Sequence, residues 1–362
     1  MQMTVLSPTS QNIIAQNFRL SSFISKKFME QRFLYLLAYI LTGGHFMEYR
    51  YFGLNSGQKL LQNALRHGGF AVPAFNAYNM ETVQAIISAA RLTHSPIIIA
   101  ISESALKYMG DDILMGLISG SKITPNEQIA LHLDHGKSVE SCMHAINIGF
   151  SSVMLDFSKY DFDDNITATH DIAKYAHARN VSVEAELGEL AGIEDENTFG
   201  TKSVYTDPDS VYEFVRQTET DSLAVAIGTS HGAYKRKNAD EKLRFDILEQ
   251  IQNKIPYTPL VLHGASSVPS DFVKTINQYG GNLQNAIGIS LEQLNFAATK
   301  THICKINIDS DLRLAFTAAV RKNLHDAPSN FNPREYMDAG RDAIRDYCIF
   351  LIREVFNSAN KL

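Results

Sequence analysis

The sequence predicts an α/β fold, a (β/α)8 TIM barrel with an extra C-terminal helix. Three observations carry that prediction. Eight short apolar or β-branched runs alternate with amphipathic helical stretches over roughly 250 residues, the arithmetic of a barrel. A doubly wound sheet would need a Gly-rich phosphate turn after its first strand, and Phe70–Asn79 has none. No composition shift or linker divides the chain after Gly53.

The strand candidates, in order, are Phe70–Asn76 (FAVPAFN), Pro96–Ser102 (PIIIAIS), Ile129–His135 (IALHLDH) and Ser152–Ser158 (SVMLDFS). Val181–Leu187 (VSVEAEL), Leu223–Gly232 (LAVAIGTSHG), Pro259–Ser267 (PLVLHGASS) and Ile303–Asp309 (ICKINID) follow. Met80–Thr93, Val139–Ile148, Asn165–Arg179 and Asp209–Thr218 read as amphipathic helices between them. A last helix, from Pro333 to about Phe356, lies beyond the eighth unit.

Residues 1–52 read as a poorly ordered N-terminal extension, and 53–362 as the barrel with its C-terminal helices. The first 46 residues carry Arg19, Lys26, Lys27 and Arg32 against one acid, Glu30, and then the apolar run Phe33–Leu41. That run is too short for a bilayer span, which needs about 20 residues. It has the look of a signal sequence without a clear small-residue cleavage site, so Met47 is the candidate true start.

A hydrophobic share of 45% with 20% charged residues fits a soluble protein with a sizeable core. A net charge of −6 argues against nucleic acid as a partner, and no membrane association is expected. Cys142, Cys304 and Cys348 form no CxxC pair, which argues for core packing in a reducing, cytoplasmic setting. Any metal must therefore be held by histidine and carboxylate.

The polar residues are placed with a pattern. Asn76, Ser102, Asp134, His135, Asp156, Glu186, His231, His263, Asn307 and Asp309 all fall at the C-terminal ends of their strands. In a (β/α)8 barrel that rim carries the active site. A lone strand-end histidine is more often satisfied by backbone than bound to metal. His135, His231 and His263, however, come from three separate strands, and three imidazoles with an open position suit a catalytic zinc. His132 shares strand parity with Asp134 and reads as barrel interior, where it could orient a ligand.

The stretches HLDHG, VEAELGELAGIED, GTSHGAYK, LVLHGASSVP, CKINIDSDLR and NPREYMDAGRDAI resemble the motifs of the class II, metal-dependent fructose-bisphosphate aldolases, from about Gly53 to the C-terminus. The resemblance implies reversible cleavage of fructose 1,6-bisphosphate to dihydroxyacetone phosphate and glyceraldehyde 3-phosphate, in glycolysis and gluconeogenesis. It implies zinc on His135, His231 and His263, with Glu186 near an alternative metal position, and a monovalent cation as a further candidate. Asp134 matches the proton carrier at the bond that breaks, and Glu194 the acid/base on a flexible loop. Ser102, Gly232, Gly264 and Ser266 match the phosphate-binding surface. Asn76, Lys235, Ala265, Asn307, Asp309 and Ser310 complete the implied substrate contacts. Arg334 resembles an arginine that a dimer partner sets against the second phosphate, so a homodimer or larger homo-oligomer is expected.

The chemistry asks for the same residue types. Aldol cleavage needs a base for a hydroxyl proton and an electrophile for the charge left behind, roles that fit Asp134 and a Lewis-acidic metal. Glycine turns at Gly232 and Gly264 would let anions approach backbone amides, although alone they read as ordinary tight turns. Three positions depart from the family pattern: Phe157 after the strand-four aspartate, Ser104 where glycine is common, and Asn332 in place of aspartate.

Rival readings are weaker. A Schiff-base aldolase could use Lys305 or Lys235, but would leave three strand-end histidines unexplained. A metal-dependent barrel hydrolase usually opens with a His-x-His pair, absent from FAVPAFN. A tagatose-bisphosphate aldolase is the near alternative, and a catalytically silent binding barrel the distant one.

Overall fold

The computed structural model describes residues 47–194, 197–199, 204–231, 242–284 and 286–362, all within the unit His45–Leu362. Eight parallel strands close into a barrel. In chain order they are β1 (Val72–Asn76), β2 (Ile97–Ser102), β3 (Ile129–Gly136), β4 (Ser152–Leu155), β5 (Ser182–Leu187), β8 (Ser222–Val225), β10 (Leu260–Leu262) and β11 (Ile303–Ile308). Three further strands, β6 (Ala191–Glu194), β7 (Asn197–Phe199) and β9 (Ser230–His231), form a small separate sheet in the order β7-β6-β9.

The barrel strands are buried on both faces, which is why they read as near-continuous apolar runs rather than alternating ones. The helices start where short polar side chains can take an orphan amide. Asn79 and Ser138 each form a capping box, with Thr82 and Ser141, and Ser56, Ser102 and Ser290 cap their own helices. The helix Gly57–His67 closes the floor, packing Leu60, Leu61 and Ala64 against the inward Val72, Ala74, Ile98, Ala130, Met154, Ala224 and Val261. With the floor sealed by apolar side chains, polar groups gather at mid-barrel and at the C-terminal mouth.

The fourth and seventh strands end earlier than predicted, at Leu155 and Leu262, and two further expectations change. The sixth predicted strand, Leu223–Gly232, does not run through. It ends at Val225, where the Ala226 backbone turns to Thr206 (Thr206 N–H to Ala226 O 3.0 Å, Ala226 N–H to the Thr206 side-chain Oγ1 2.8 Å) instead of a barrel neighbour. His231 therefore sits on β9, which pairs with β6 through Ala191↔Ser230 and Gly192↔His231. The second concerns residues 47–52, assigned by sequence to the extension. Tyr49 is buried, its hydroxyl donates to Asn180 O, and Met47 N–H donates to Asn147 O, so these residues pack on the barrel. Residues 1–46 lie outside the described residues. Among the described residues no helix is long and apolar enough to cross a membrane.

Gly136 marks how tightly β3 meets its neighbours. A Cβ there would lie 2.6 Å from Met154 O and 2.7 Å from Cys142 Sγ, both inside the packed wall. Gly136→Ala must push the β3–β4 seam apart, an overpacking cost of about 1–3 kcal/mol. A thermal melt of this variant should show a midpoint lowered by several degrees, and an unchanged midpoint would contradict the close approach.

Candidate active site at the barrel mouth

Strand period two puts Ala130, His132 and Asp134 of β3 toward the barrel axis, and would turn His135 outward. The backbone prevents this. His132 and Leu133 pair with Ser152 and Val153, whereas Gly136 pairs with Leu155, so Asp134 and His135 together oppose Met154. This is a bulge, and His135 takes a left-handed φ of +49° within it. Such a conformation costs a non-glycine residue about 1–3 kcal/mol and persists where surrounding structure enforces it. Its effect is that two successive side chains reach one site: ligand atoms of Asp134, His135 and His263 lie within 4.8 Å of one another.

Asp134 is buried and gripped from two strands. Asn76 Nδ2 donates to its Oδ2 at 2.8 Å and Asn307 Nδ2 to its Oδ1 at 3.0 Å. The carboxylate is thereby held in one orientation, while the Oδ1 atoms of both asparagines are buried with no hydrogen-bond partner among the described residues. Those two acceptors are suited to substrate hydroxyls.

His135 Nδ1 lies 3.0 Å from Asp156 Oδ2, and Asp156 is itself set by Ser158, whose N–H and hydroxyl both donate to Oδ1. Burial opposes a charge on His135, but the Asp156 bond and the nearby Asp134, Asp156 and Glu186 override it and raise its pKa to about 10. The same bond holds Asp156 well below the usual carboxylate range despite its burial. Glu186 goes the other way: burial first, then repulsion from Asp156, push it well above the usual range. Its Oε2 has no hydrogen-bond partner among the described residues and lies 3.9 Å from His135 Nδ1.

His263 follows β10 directly, and Gly264 after it has φ +60°. A Cβ on Gly264 would lie 2.7 Å from Ser230 C and O, so glycine allows β10 to end against the backbone just before His231. The His263 ring stands 4.6 Å from that of His135, edge to face. Its Nε2 lies 2.7 Å from Glu184 Oε1, in the layer below. Lys305 Nζ donates to both Glu184 oxygens, at 2.9 and 2.8 Å, and approaches His132 Nε2 at 3.2 Å. Lys305, a candidate Schiff-base nucleophile by sequence, is thus fully enclosed in an ion pair. Burial and then the Lys305 charge lower His132 to about 3, and burial lowers His263.

Ser102, Ala265, Ser266, Asn307, Asp309 and Ser310, at or just beyond the C-terminal ends of β2, β10 and β11, are all buried. Ser266 Oγ accepts from Asp309 N–H, and Arg313 Nε donates to both Asp309 oxygens. Gly232 and Lys235 lie outside the described residues; for His231 and Glu194 only the backbone is described. Arg334 is exposed at the start of the helix Pro333–Phe350, its Nε bonded to Asn332, away from the mouth's hydrogen bonds among the described residues. The three departures are accommodated: Phe157 is buried against Tyr160, Ser104 bonds Ser102, and Asn332 still caps its helix. The sequence alone assigns no role to Asp156 or Glu184. The signal for Glu184 was present in VEAEL, two acids of one parity in a buried strand.

A metal fits this donor set. Two imidazoles and three carboxylates converge, one of them Glu186 with an orphaned buried oxygen, and the charge balance that raises His135 is one a cation would satisfy. Imidazole with carboxylate suits zinc, cobalt or iron rather than a soft thiolate metal.

Comparison with known proteins agrees with the geometry. Residues 55–361 match the family model "Fructose-bisphosphate aldolase class-II". A fructose-bisphosphate aldolase of Treponema pallidum is 45% identical over 86% of this chain and 99% of its own length. One from Giardia intestinalis is 45% identical over 83% of this chain and 92% of its own. Among solved structures, the YdjI aldolase of Escherichia coli K12 superposes with a TM-score of 0.67 at 28% identity, covering 85% of this chain and 99% of that one. A fructose-bisphosphate aldolase of Campylobacter jejuni shares the fold at a TM-score of 0.64 and 22% identity, over 86% and 97% of the two chains. The chain belongs to the class-II fructose-bisphosphate aldolase family.

Proposed function

We propose that the protein performs its family's aldol cleavage at the barrel mouth, with zinc held by His135, His231 and His263, Asp134 as proton carrier at the scissile bond, and Glu194 as the second acid/base. The reaction is the reversible cleavage of fructose 1,6-bisphosphate to dihydroxyacetone phosphate and glyceraldehyde 3-phosphate, and the enzyme is a metal-dependent lyase. The observation that carries the residue assignment is the gathering of Asp134, His135 and His263 within 4.8 Å, with Asp134 clamped by two amides.

When bound, zinc would supply Lewis-acid stabilisation of the negative charge developing on the substrate's oxygens. The protein's own groups do the rest. Asn76 and Asn307 present Asp134 as an oriented acceptor, which takes the proton of the hydroxyl on the carbon released as aldehyde. Their buried Oδ1 atoms accept from substrate hydroxyls and set the sugar's pose. Glu194, on β6, delivers a proton to the carbon that becomes the hydroxymethyl of dihydroxyacetone phosphate. Glu186 offers the ion a second resting position beside His135 and Asp156. Gly232, Lys235, Gly264, Ala265, Ser266 and Ser102 line one phosphate, with Asp309 and Ser310 beside them. Arg334 reaches the other phosphate from a homodimer partner, where its planar fork pairs with phosphate bidentately. Three buried free cysteines accord with a cytoplasmic enzyme.

The two proton carriers are separable by experiment. Asp134→Ala abolishes cleavage of fructose 1,6-bisphosphate yet leaves exchange between dihydroxyacetone phosphate and water detectable. Glu194→Ala suppresses that exchange by about 10²–10⁴, the usual weight of a general acid/base. Isotope exchange and cleavage rates on both variants decide it, and the opposite pattern would reverse the roles. Running the cleavage assay with tagatose 1,6-bisphosphate in parallel separates the alternative substrate.

Metal uptake depends on pH with a definite sign. His135 in the metal-free site stays protonated up to about pH 10, so an ion taking it as ligand releases a proton throughout the range below. Zinc affinity, measured by chelator competition, should rise about tenfold or more per unit from about pH 6 to 9. The metal-free fold behaves oppositely. A raised imidazole value stabilises fully below its unfolded value of about 6.5 and is lost as pH climbs toward 10. A zinc affinity that does not vary with pH would contradict the assignment of His135.

A further inference from the structure

We propose that Glu184, clamped by Lys305, is a positioning residue that sets the ring orientation and tautomer of His263 for metal binding. The inference rests on the reading of His263 as a metal ligand, and concerns how the barrel prepares it.

The direction of every bond in this buried group follows from what each side chain can donate. Lysine only donates, so His132 Nε2 accepts from Lys305 at 3.2 Å. The His132 proton then sits on Nδ1, which donates to Ser152 Oγ at 2.8 Å. Lys305 also donates to both oxygens of Glu184. Glu184 is an acceptor, so the 2.7 Å contact with His263 requires the proton on His263 Nε2. Nδ1 is left as the ring's lone pair, and it is the atom that faces the mouth, 3.9 Å from Asp134 Oδ1. The chain of bonds therefore runs from β4 through β3, β11 and β5 to β10, and ends by aiming one nitrogen at the site.

Burial makes the arrangement rigid. Lys305 is 0% exposed, and Glu184, His132 and His263 are each 1% exposed, so none can exchange its partner for bulk water. A buried ion pair is not in itself a stabilising choice, since apolar residues of similar volume often do as well. Its place directly beneath His263 gives it a different use. The carboxylate is a stronger acceptor than a neutral group, and Lys305 keeps that carboxylate from being left as an uncompensated buried charge. Outer partners of this kind orient a ligand and typically govern 10–100-fold of metal affinity.

The test uses zinc alone, by chelator competition on the full chain, with circular dichroism and melting to establish folding. Glu184→Leu/Lys305→Met removes both charges together with the acceptor, and zinc should bind about 10–100-fold more weakly to the folded variant. Glu184→Gln/Lys305→Met also removes both charges but keeps an amide oxygen for His263 Nε2–H, and should recover most of the affinity. A purely structural pair would not separate these two variants. Equal, wild-type affinity in the leucine variant would overturn the proposal. His263→Ala should lose zinc binding; retention would refute the ligand reading itself and the proposal with it. Independently of any variant at Glu184, ¹⁵N-histidine spectra of the metal-free wild type should show His263, identified by its loss in His263→Ala, protonated on Nε2 and bare on Nδ1. A proton on Nδ1 would overturn the proposal.

Discussion

Negative charge buried inside the barrel is the constraint on which the rest of the architecture turns. Glu184, Glu186 and Asp134 are almost wholly enclosed, and Asp156 stands at their edge. A carboxylate taken out of water is costly unless something compensates it. Each receives a different answer. Glu184 has the Lys305 ammonium, Asp156 has His135, and Asp134 has two asparagine amides. Glu186 has none that donates to its Oε2, and it is the group driven furthest toward the neutral form. Glu186 is thus the carboxylate at the mouth that the described side chains compensate least, and a cation beside it would answer its burial.

That charge distribution is possible only because the barrel is layered. Apolar side chains and the helix Gly57–His67 seal the floor. The Glu184–Lys305–His132 layer lies above it, and Asp134, His135 and His263 gather at the mouth. Each layer supports the next: the middle one orients His263, and the bulge in β3 turns His135 to meet it. Gly136 and Gly264 are the places where backbone must come too close for a side chain, one against β4 and one against the strand carrying His231. Catalytic geometry in this protein depends on backbone packing as much as on the side chains that perform the chemistry.

Much of this was legible in the sequence, for identifiable reasons. Buried parallel strands are continuous apolar runs, so all eight barrel strands are legible from composition and length, while Ser152–Ser158, Leu223–Gly232 and Pro259–Ser267 run past the ends the structure gives them. The break at Val225 depends on Thr206, a residue from a distant loop, and no local pattern announces it. Asp134 and His135 stood out because polar residues terminate an apolar run. That both face inward required the left-handed turn at His135, which adjacency in sequence would have argued against.

What the sequence determined by itself was the inventory and its order: strand periodicity, the polar residues at strand ends, and the family motifs that name the chemistry. Local preference and hydrophobic period are properties of neighbouring residues, so they survive in one dimension. What only the tertiary structure decided was which groups neutralise which. Glu184 and Lys305 are 121 residues apart, and His132 and Lys305 are 173 apart, so their pairing exists only once the barrel closes. Electrostatic compensation depends on distance in space, and barrel closure is the step that sets those distances.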